Sequence, residues 1–507
     1  MQKSPVNDKD TPVVKPLPFK TRSLWQVSIP KRALLLGDLL AIALAFVVAT
    51  LLNIGVEGQS LSLALKWFST QNSSRYVAWS GLCLLSLCIF LFRYQHYINR
   101  RPFWDELSDV LWTIGAMALL DMSIVAITRW NASRLWWLFA WCSFAWMIML
   151  LRGGMRLLLT HWGLWARPTI LIGRGQNAHD AVEALLSEPH LGYQLKGFVD
   201  VQSDPACATN APFVIPSKPN LTLTQFNAHE LKALAKQPGI QWVLALDHGQ
   251  ASEREHWLRQ LSQWGAQEIC VIPDMRGIPL YGTHMSYFFS HEVTILRIRN
   301  NLKRWPTRLT KRLFDTLVTA LLLMVLSPVF VFLYVYLKRE GGSAFFKQER
   351  IGRQGQVFEC LKFRTMVPGA EERLQTLLSQ DPALKAEWDR DHKIKNDPRV
   401  TPLGAFLRRT SLDEIPQLLN VLKGEMSLVG PRPIVKAELE KYGDDVEYFL
   451  MVRPGMTGLW QVSGRSDMSY DKRVYLDTWY VKNWSLWYDL VILFKTVHVV
   501  IQRSGAY

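Results

Sequence analysis

The sequence has few cysteines, and none of them stands in a pattern typical of metal binding or disulfide formation. There are six in 507 residues; no two form a CxxC pair, and none lies near a histidine at metal-ligand spacing. Neither a zinc site nor a disulfide framework is therefore indicated. The first thirty residues also lack the short apolar stretch and cleavage site of a signal peptide, and we interpret residues 1–30 as a disordered cytoplasmic tail.

Acidic residues are also comparatively scarce. The 43 Asp and Glu residues face 58 Lys and Arg residues, which gives a formal net charge of +15, although 49% of the residues are hydrophobic. A chain of this length predicts several domains, at about 100–200 residues for each. Apolar segments combined with strongly basic ones indicate a membrane protein with an anionic partner.

Four apolar runs follow the tail, and each is close to the ~20 residues that a helix needs to cross a bilayer. They are residues 33–54, 76–92, 110–128 and 135–151. Basic residues precede the first run, separate the second from the third and follow the fourth, so the positive-inside rule directs both ends to the cytoplasm. We predict a four-helix transmembrane domain over residues 31–159.

Two acids, Asp38 and Asp121, lie within these runs. An acid inside the membrane is a functional candidate by default. No second charged residue within the runs suggests a proton relay, so we interpret both as polar contacts between helices.

From about residue 160 the pattern changes to short β-like runs that alternate with helical ones, which is typical of a βαβ domain with a parallel sheet. We predict a Rossmann-like domain over residues 160–300. Within it, GRGQNA has the G-x-G-x-x-A spacing, with Gly173 and Gly175, that can seat a pyrophosphate on a helix N-terminus. Asp200 ends the next strand and could meet a ribose hydroxyl. A bound nucleotide and a plain tight turn both stay open.

A fifth apolar run, residues 313–337, contains Ser327 and Pro328 near its middle. Basic clusters flank it on both sides, and proline disfavours a continuous helix. We predict a broken helix that dips into the membrane and returns. A spanning helix is the alternative, because proline is tolerated in transmembrane helices.

Two adjacent carboxylates, Asp413 and Glu414, precede a helical pattern that has Pro416 in its first turn and Gly424 at its end. In the structural interpretation Asp413 is the N-cap of that helix, and Glu414 complements its dipole.

The surrounding cations favour a reaction centre instead. An acid pair among them is suited to holding a divalent metal and a polyphosphate, and a carboxylate can also attack phosphorus and form a covalent intermediate. These cations are Lys362, Arg364, Arg408, Arg409, Arg432, Arg453 and Arg465.

Three long segments resemble the catalytic core of the bacterial sugar transferases, which are polyprenyl-phosphate hexose-1-phosphate transferases. They are ERIGRQGQVFECLKFRTM, DPRVTPLGAFLRRTSLDEIPQLLNVLKGEMSLVGPRP and RPGMTGLWQVSGR. The resemblance covers the whole chain in the larger form of the family. The segment SEPHLGYQLKGFVD and the C-terminal end are most similar to the branch that transfers galactose 1-phosphate.

The resemblance implies a two-step exchange. Asp413 matches the nucleophile that attacks the sugar-proximal phosphate of a UDP-sugar and releases UMP, after which undecaprenyl phosphate accepts the phosphosugar. Glu414 matches the second acid, which assists with Mg²⁺ or with the acceptor. The other matched positions are Lys362, Arg364, Arg408, Gln417 and Arg432.

The resemblance also implies the architecture of an integral membrane, multi-domain protein. It consists of the four-helix transmembrane bundle, the α/β Rossmann-like middle domain and a mainly α catalytic domain over residues 301–507, with a re-entrant membrane helix at 311–338 that breaks at Ser327 and Pro328. We expect the catalytic domain on the cytoplasmic face of the bacterial inner membrane, beside membrane lipid. We also expect a homo-oligomer, in the form of a dimer, no nucleic-acid partner, and a product used for O-antigen, capsule or exopolysaccharide.

Two other functions remain open at this point. Membrane-anchored nucleotide-sugar dehydratases also join membrane helices to a G-x-G-x-x-A domain, but they need a Tyr-x-x-x-Lys pair beside the cofactor. The only such spacing here, from Tyr334 to Lys338, falls in the fifth apolar run. A non-catalytic scaffold for polysaccharide assembly would require the acid pair to be a helix cap only.

Overall fold

A computed structural model describes most of the chain between Ser23 and Gln502. The described residues are 23–58, 73–130, 133–201, 213, 223–226, 228–278, 284–287, 294–297, 302, 304–380, 385, 394, 397–464 and 468–502. They fall into two compact units, Met1–Arg276 and Gly277–Tyr507. Helices predominate in both units.

The first unit begins with four long helices, α1 to α4, whose bounds are Leu24–Glu57, Ser73–Cys88, Phe103–Thr128 and Arg134–His161. Each provides a segment long and apolar enough to cross a membrane, and the chain is thus a membrane protein. Helix α1 begins early because Ser23 and Gln26 form a capping box, in which each side chain bonds the backbone N–H of the other. Residues 24–30 of the predicted tail are therefore helical, and residues 1–22 lie outside the described residues.

Ion pairs join these four helices inside one shared hydrophobic core. Asp38 of α1 accepts hydrogen bonds from Arg152 of α4 and from Tyr97. Asp121 of α3 pairs with Arg75 of α2, and all four charged side chains are buried. The interpretation of both acids as polar contacts between helices is confirmed. Each arginine partner lies just beyond the apolar run that its helix shows in the sequence.

The rest of the first unit is an α/β domain, which confirms the predicted parallel sheet. Its elements are β1 (Arg167–Ile172), α5 (Gln176–Ser187), β2 (Tyr193–Val199), β3 (Thr224–Gln225), α6 (Ala228–Ala235), β4 (Gln241–Leu244), α7 (Ala251–Trp264) and β5 (Glu268–Val271). The strands are parallel in the order β3-β2-β1-β4-β5, which is the order of a Rossmann-type sheet. All six residues of β1 are buried, because apolar clusters pack on both faces of the sheet.

The second unit is mainly helical, with short strands in pairs. Its strands are β6 (His284–Tyr287), β7 (Thr294–Arg297), β8 (Phe345–Ile351), β9 (Val357–Phe363), β10 (Ser427–Val429) and β11 (Gly455–Thr457). Its helices are α8 (Trp305–Arg339), α9 (Ala370–Gln380), α10 (Pro402–Thr410), α11 (Gln417–Lys423), α12 (Val446–Met451), α13 (Leu459–Ser463), α14 (Tyr470–Lys482) and α15 (Leu486–Gln502). Strands β8 and β9 form an antiparallel hairpin, and β10 and β11 pair in parallel.

Helix α8 contains the fifth apolar run and stays helical through Ser327 and Pro328, so the predicted break in secondary structure is absent. Pro328 has no N–H to donate to the carbonyl of Met324, four residues earlier. The Ser327 hydroxyl donates to that same carbonyl at 2.8 Å. The side chain thereby satisfies the acceptor that proline leaves without its usual donor, and the helix continues.

Both ends of α8 pack against the same part of the second unit. Near its start, Arg312 donates to the carbonyls of Val421 and Leu422 at 2.6 and 2.7 Å. Near its end, Leu333 and Leu337 are buried in the main hydrophobic core of the unit. The exposed apolar side chains between and beside these contacts include Leu317, Leu321, Met324, Val325 and Phe332.

Candidate active site

Asp413 and Glu414 lie in a single 3-10 turn, Leu412–Glu414, in the tight connection from α10 to α11. Ser411, just before the turn, has φ 56° and ψ 17°, a left-handed conformation that costs a non-glycine residue about 1 kcal/mol. The residue at the N-cap position of α11 is Pro416, and no side chain caps that helix. The interpretation of Asp413 as the helix cap is therefore wrong.

Asp413 and Glu414, called the dyad from here on, lie near two of the predicted cations, Lys362 and Arg408. Lys362, on strand β9, donates from Nζ to Glu414 Oε1 at 2.7 Å. Arg408, in the last turn of α10, donates from Nε to the Thr365 hydroxyl at 2.9 Å. Burial raises the pKa of Asp413 to about 6; Glu414 adds to the rise, whereas Lys362 and Arg408 oppose it. These four charged groups therefore form one electrostatically coupled site.

Arg364 holds the framework near the dyad, and Gln417 is buried at the start of α11. The guanidinium of Arg364 donates to the carbonyls of Leu337 at 2.8 Å, Ser343 at 2.9 Å and Gly341. It thus fastens the end of α8 to strand β9.

Arg432 belongs to a second cationic group that contains an aromatic ring. Its guanidinium carbon lies 5.6 Å from the ring centroid of Trp460, and that of Arg473 lies 5.0 Å from the same centroid. Burial raises the pKa of the adjacent Asp477 to about 7, although Tyr442 donates a hydrogen bond to this carboxylate and the two arginines oppose the rise. This group offers an exposed guanidinium beside a buried polar cluster.

The two groups adjoin each other at the buried Cys360. Burial raises the pKa of its thiol; Lys362, Arg350 and Arg432 lower it, and Glu414 raises it further. Lys362 and Glu414 belong to the dyad site and Arg432 belongs to the second group, whose Arg432 and Arg473 also act on Arg350. Cations of both groups therefore act on the same buried position, Cys360.

Arg453 and Arg465 are not brought to the dyad by the described structure. Arg453 donates from Nε to the carbonyl of Gly424 at 2.6 Å, at the far end of α11 from the dyad. A helix of this length spans about 10 Å. Arg465 lies outside the described residues.

A buried polar network that the sequence analysis missed fixes the start of α8. Lys311 donates to Asp315 at 3.1 Å and to Asp489 at 2.8 Å. Ser427 donates to Asp315 at 2.8 Å, and Tyr480 donates to Asp489 at 2.8 Å. One feature of the sequence could have indicated this network: a Lys and an Asp stand four residues apart at the start of an apolar run, where unpaired charges are costly.

The glycine-rich turn of the α/β domain is filled by the protein itself. An added Cβ at Gly175 would lie 1.6 Å from Oδ2 of Asp247, and Asp247 Oδ1 accepts a hydrogen bond from the backbone N–H of Asn177 at 2.9 Å. A carboxylate thus lies at the N-terminus of α5, where a pyrophosphate would bind. Asp200, the proposed ribose contact, pairs with Arg174 at 2.8 Å.

Gly173 has φ 131°, and its Cα packs against the backbone of Ala245, because an added Cβ would lie 2.2 Å from that carbonyl oxygen. Close packing of backbone therefore explains this glycine without a ligand. The Tyr334 and Lys338 pair of the dehydratase alternative lies on α8, away from the parallel sheet in sequence and in a separate unit.

The dyad suits a magnesium ion that binds together with a substrate. Within the described part of the chain, no set of three or more His, Cys, Asp or Glu side chains is arranged to hold a metal ion. Mg²⁺ commonly takes one or two protein carboxylates and completes its shell with substrate phosphates and water. Asp413 and Glu414 supply that number of hard oxygen ligands.

Comparison with known proteins gives a consistent family assignment. The bacterial sugar transferase profile matches residues 306–503. The chain is 44% identical over 437 residues to an undecaprenyl-phosphate galactose phosphotransferase of Salmonella typhimurium, covering 86% of this chain and 90% of that protein. It is 43% identical over 475 residues to a UDP-galactose-lipid carrier transferase of Erwinia amylovora, covering 94% and 97%. A UDP-glucose:undecaprenyl-phosphate glucose-1-phosphate transferase of Escherichia coli is 38% identical over 209 residues, which cover 39% of this chain and 42% of that protein. This chain belongs to the bacterial sugar transferase family.

Proposed function

We propose that this enzyme transfers a hexose 1-phosphate from a UDP-sugar to undecaprenyl phosphate, as the first membrane step of polysaccharide synthesis. The products are undecaprenyl-diphosphate-sugar and UMP. The single observation that carries the proposal is that Asp413 and Glu414 share one turn in which Lys362 donates to Glu414 at 2.7 Å. Burial also raises the pKa of Asp413 to about 6. Galactose is the proposed sugar because two relatives that match most of the chain are named for it. Glucose is the second candidate, from the relative that matches the C-terminal part.

In the first step, a carboxylate oxygen of Asp413 attacks the sugar-linked phosphorus of the donor. A new O–P bond forms while the bond from this phosphorus to the bridging oxygen of the diphosphate breaks, and UMP leaves with that oxygen. The raised pKa makes the ionised carboxylate more basic than an ordinary aspartate, so it is a better nucleophile, yet it is still ionised above about pH 6.

In the second step, a phosphate oxygen of undecaprenyl phosphate attacks the same phosphorus. The bond between this phosphorus and Asp413 breaks, and the carboxylate is restored. Lys362 and Arg408 hold the negative oxygens of the transferring group, and Arg432 extends the cationic surface towards the departing nucleotide. Asp413 and Glu414 would hold Mg²⁺, and the chemistry it would supply there is neutralisation of phosphate charge.

The donor is soluble and the acceptor carries its phosphate at the membrane surface, so we place the catalytic unit on the cytoplasmic face of the inner membrane. We propose that α8 enters the bilayer and returns to the same side. Two observations support this placement: residues near both ends of the helix contact the same hydrophobic core, and the large hydrophobic side chains between them include several that are exposed. Helices α1 to α4 then form the predicted four-helix transmembrane bundle, and a dimer stays a prediction.

Cysteine labelling tests the placement of α8. In a chain whose native cysteines are replaced by serine, Thr310→Cys and Glu340→Cys put one thiol near each end of the helix. A membrane-impermeant thiol reagent applied to inside-out vesicles should label both, and in right-side-out vesicles it should label neither. Labelling of the two positions from opposite sides would establish a spanning helix instead.

Nucleotide release tests the reaction. The full chain in nanodiscs is supplied with Mg²⁺, undecaprenyl phosphate and one UDP-sugar at a time, beside Asp413→Asn and the control Asp444→Asn, which alters an exposed carboxylate. UMP from the unmutated chain and the control, but not from Asp413→Asn, supports the proposal, and the best donor identifies the sugar. Release of UDP would indicate ordinary glycosyl transfer. No release from any donor would favour the scaffold function.

A further inference from the structure

We infer that a second anion site, distinct from the dyad, binds the phosphate of a membrane lipid at the start of α8. A cavity of about 50 Å³ opens there in the second unit. Its walls combine cationic and apolar side chains, among them Arg308, Lys311, Arg353, Arg453, Leu302 and Met451.

The cavity carries more positive charge than its surroundings neutralise. Among the described residues that line it, Asp315 is the only carboxylate, and its oxygens already accept hydrogen bonds from Lys311 and Ser427. Lys311 is also paired with Asp489 at 2.8 Å, so it is already neutralised and the arginines carry the excess charge. Within the described residues, no carboxylate forms an ion pair with Arg353 or Arg453. A cluster of arginines without counter-charges favours an anionic ligand.

Two of the arginines are partly buried, so water neutralises them poorly. Arg353 has a buried Nε without a hydrogen-bond partner among the described residues. The Nε of Arg453 donates to the Gly424 carbonyl, which orients the rest of its guanidinium. Burial lowers the pKa of Arg453, the nearby Arg312 and Arg353 lower it further, and Asp315 only partly opposes them, because the pKa remains lowered. This mutual repulsion is relieved when an anion binds between the cations.

The position of the cavity favours a phosphate that belongs to a membrane lipid as its ligand. Helix α8 begins at Trp305, and its exposed Leu309 and Leu313 are apolar from the first turns onwards. Arg308 therefore lies where a helix that enters a membrane meets the layer of phosphate groups. The apolar side chains in the wall, Leu302 and Met451, suit a phosphate that is attached to a hydrocarbon chain.

This site is not the place where the acceptor reacts. Arg453 contacts the end of α11, and the dyad precedes the beginning of that helix, so the two are separated by about 10 Å of helix. A phosphate that attacks the intermediate on Asp413 must be in bonding contact with its phosphorus. The bound lipid phosphate instead anchors the start of α8.

Lipid retention by the full chain tests the inference without any sugar donor, so the outcome is independent of the transfer reaction. The protein is purified in detergent and titrated with short-chain phosphatidylglycerol, undecaprenyl phosphate, phosphatidylcholine or inorganic phosphate, and bound molecules are counted by native mass spectrometry. The variants are Arg353→Gln and Arg308→Gln. The matched control is Arg339→Gln, which removes an exposed arginine at the other end of α8.

We expect one lipid bound at saturation, with affinity about tenfold lower in Arg353→Gln and in Arg308→Gln and unchanged in the control. The preferred lipid identifies the source of the phosphate, either a phospholipid headgroup or the polyprenyl carrier. Equal retention by all variants would overturn the inference, as would binding of inorganic phosphate alone. If Arg353→Gln fails to fold, the lipid affinity of Arg308→Gln, which changes an exposed side chain, provides the same test.

Discussion

Asp413→Asn should make the catalytic unit more stable while it abolishes UMP release. Burial raises the pKa of this carboxyl from 3.8 to about 6, and each pKa unit corresponds to about 1.4 kcal/mol. The folded state therefore carries a cost of up to about 3 kcal/mol for holding the ionised carboxylate. Asparagine has no charge to desolvate, so it removes that cost.

The effect has a defined dependence on pH. Because the folded-state pKa is raised, the unmutated protein is favoured below about pH 4, where the carboxyl is protonated in both states. It loses this stability as the pH rises through about 6. The stabilising effect of Asp413→Asn should therefore be small at pH 4 and full at pH 8, where it reaches up to about 3 kcal/mol.

Thermal unfolding of the full chain in detergent measures this difference. For a unit of 150–250 residues, 1 kcal/mol shifts Tm by about 2–4 °C, so the transition of the catalytic unit should rise by up to about 10 °C at pH 8. Asp444→Asn, at an exposed site, should show no comparable gain. An Asp413→Asn variant that is no more stable at pH 8, or equally more stable at pH 4 and pH 8, would refute the reasoning.

Three further predictions follow from individual contacts. Lys362→Gln removes a cation that lowers the pKa of Asp413, so the acid limb of kcat/KM for UMP release should move to higher pH. Ser327→Ala removes the donor to the Met324 carbonyl and should destabilise the catalytic unit by about 1 kcal/mol in chemical denaturation. Asp247→Ala exposes the N-terminus of α5 and should lower the Tm of the first unit without changing UMP release.

Matched variants separate these effects from general damage. Lys347→Gln removes an exposed lysine on the adjacent strand β8, and an equal shift of the acid limb there would contradict the role given to Lys362. Ser379→Ala removes a comparable bond to a carbonyl three residues earlier, in a helix without proline. Ser379→Ala should lower the free energy of unfolding by less than Ser327→Ala does. Stabilisation of the unmutated first unit by NAD⁺ or a UDP-sugar would contradict the closed turn at Asp247.

Much of the architecture could be predicted because membrane helices and parallel strands leave strong local patterns. Uninterrupted apolar length predicts the helices, and alternating short runs predict the sheet. The two arginines that pair with Asp38 and Asp121 lie at the margins of the runs, where sequence alone cannot assign depth in the membrane. The pairing itself depends on how the helices pack, which no local pattern encodes.

The dyad could be identified from the sequence because its two acids are consecutive residues. The functions of the surrounding cations could not be identified in this way. Lys362 lies on strand β9 and Arg364 directly follows that strand, yet the first contacts Glu414 and the second binds backbone carbonyls at the end of α8. Arg453 looks equivalent in the sequence but lies at the far end of α11. Charge type is visible in a sequence, but the direction in which each side chain points depends on tertiary structure.

The network around Lys311 also constrains the order in which the protein can be assembled. Its partner Asp489 lies 178 residues later in the chain, and Ser427 lies 112 residues after Asp315. While the ribosome is still synthesising the catalytic unit, Lys311 and Asp315 have only each other, at the edge of a long apolar helix. Helix α8 therefore cannot acquire its final polar contacts until α15 has emerged, and a chain that is truncated before α15 should leave a membrane helix that is prone to aggregation or degradation.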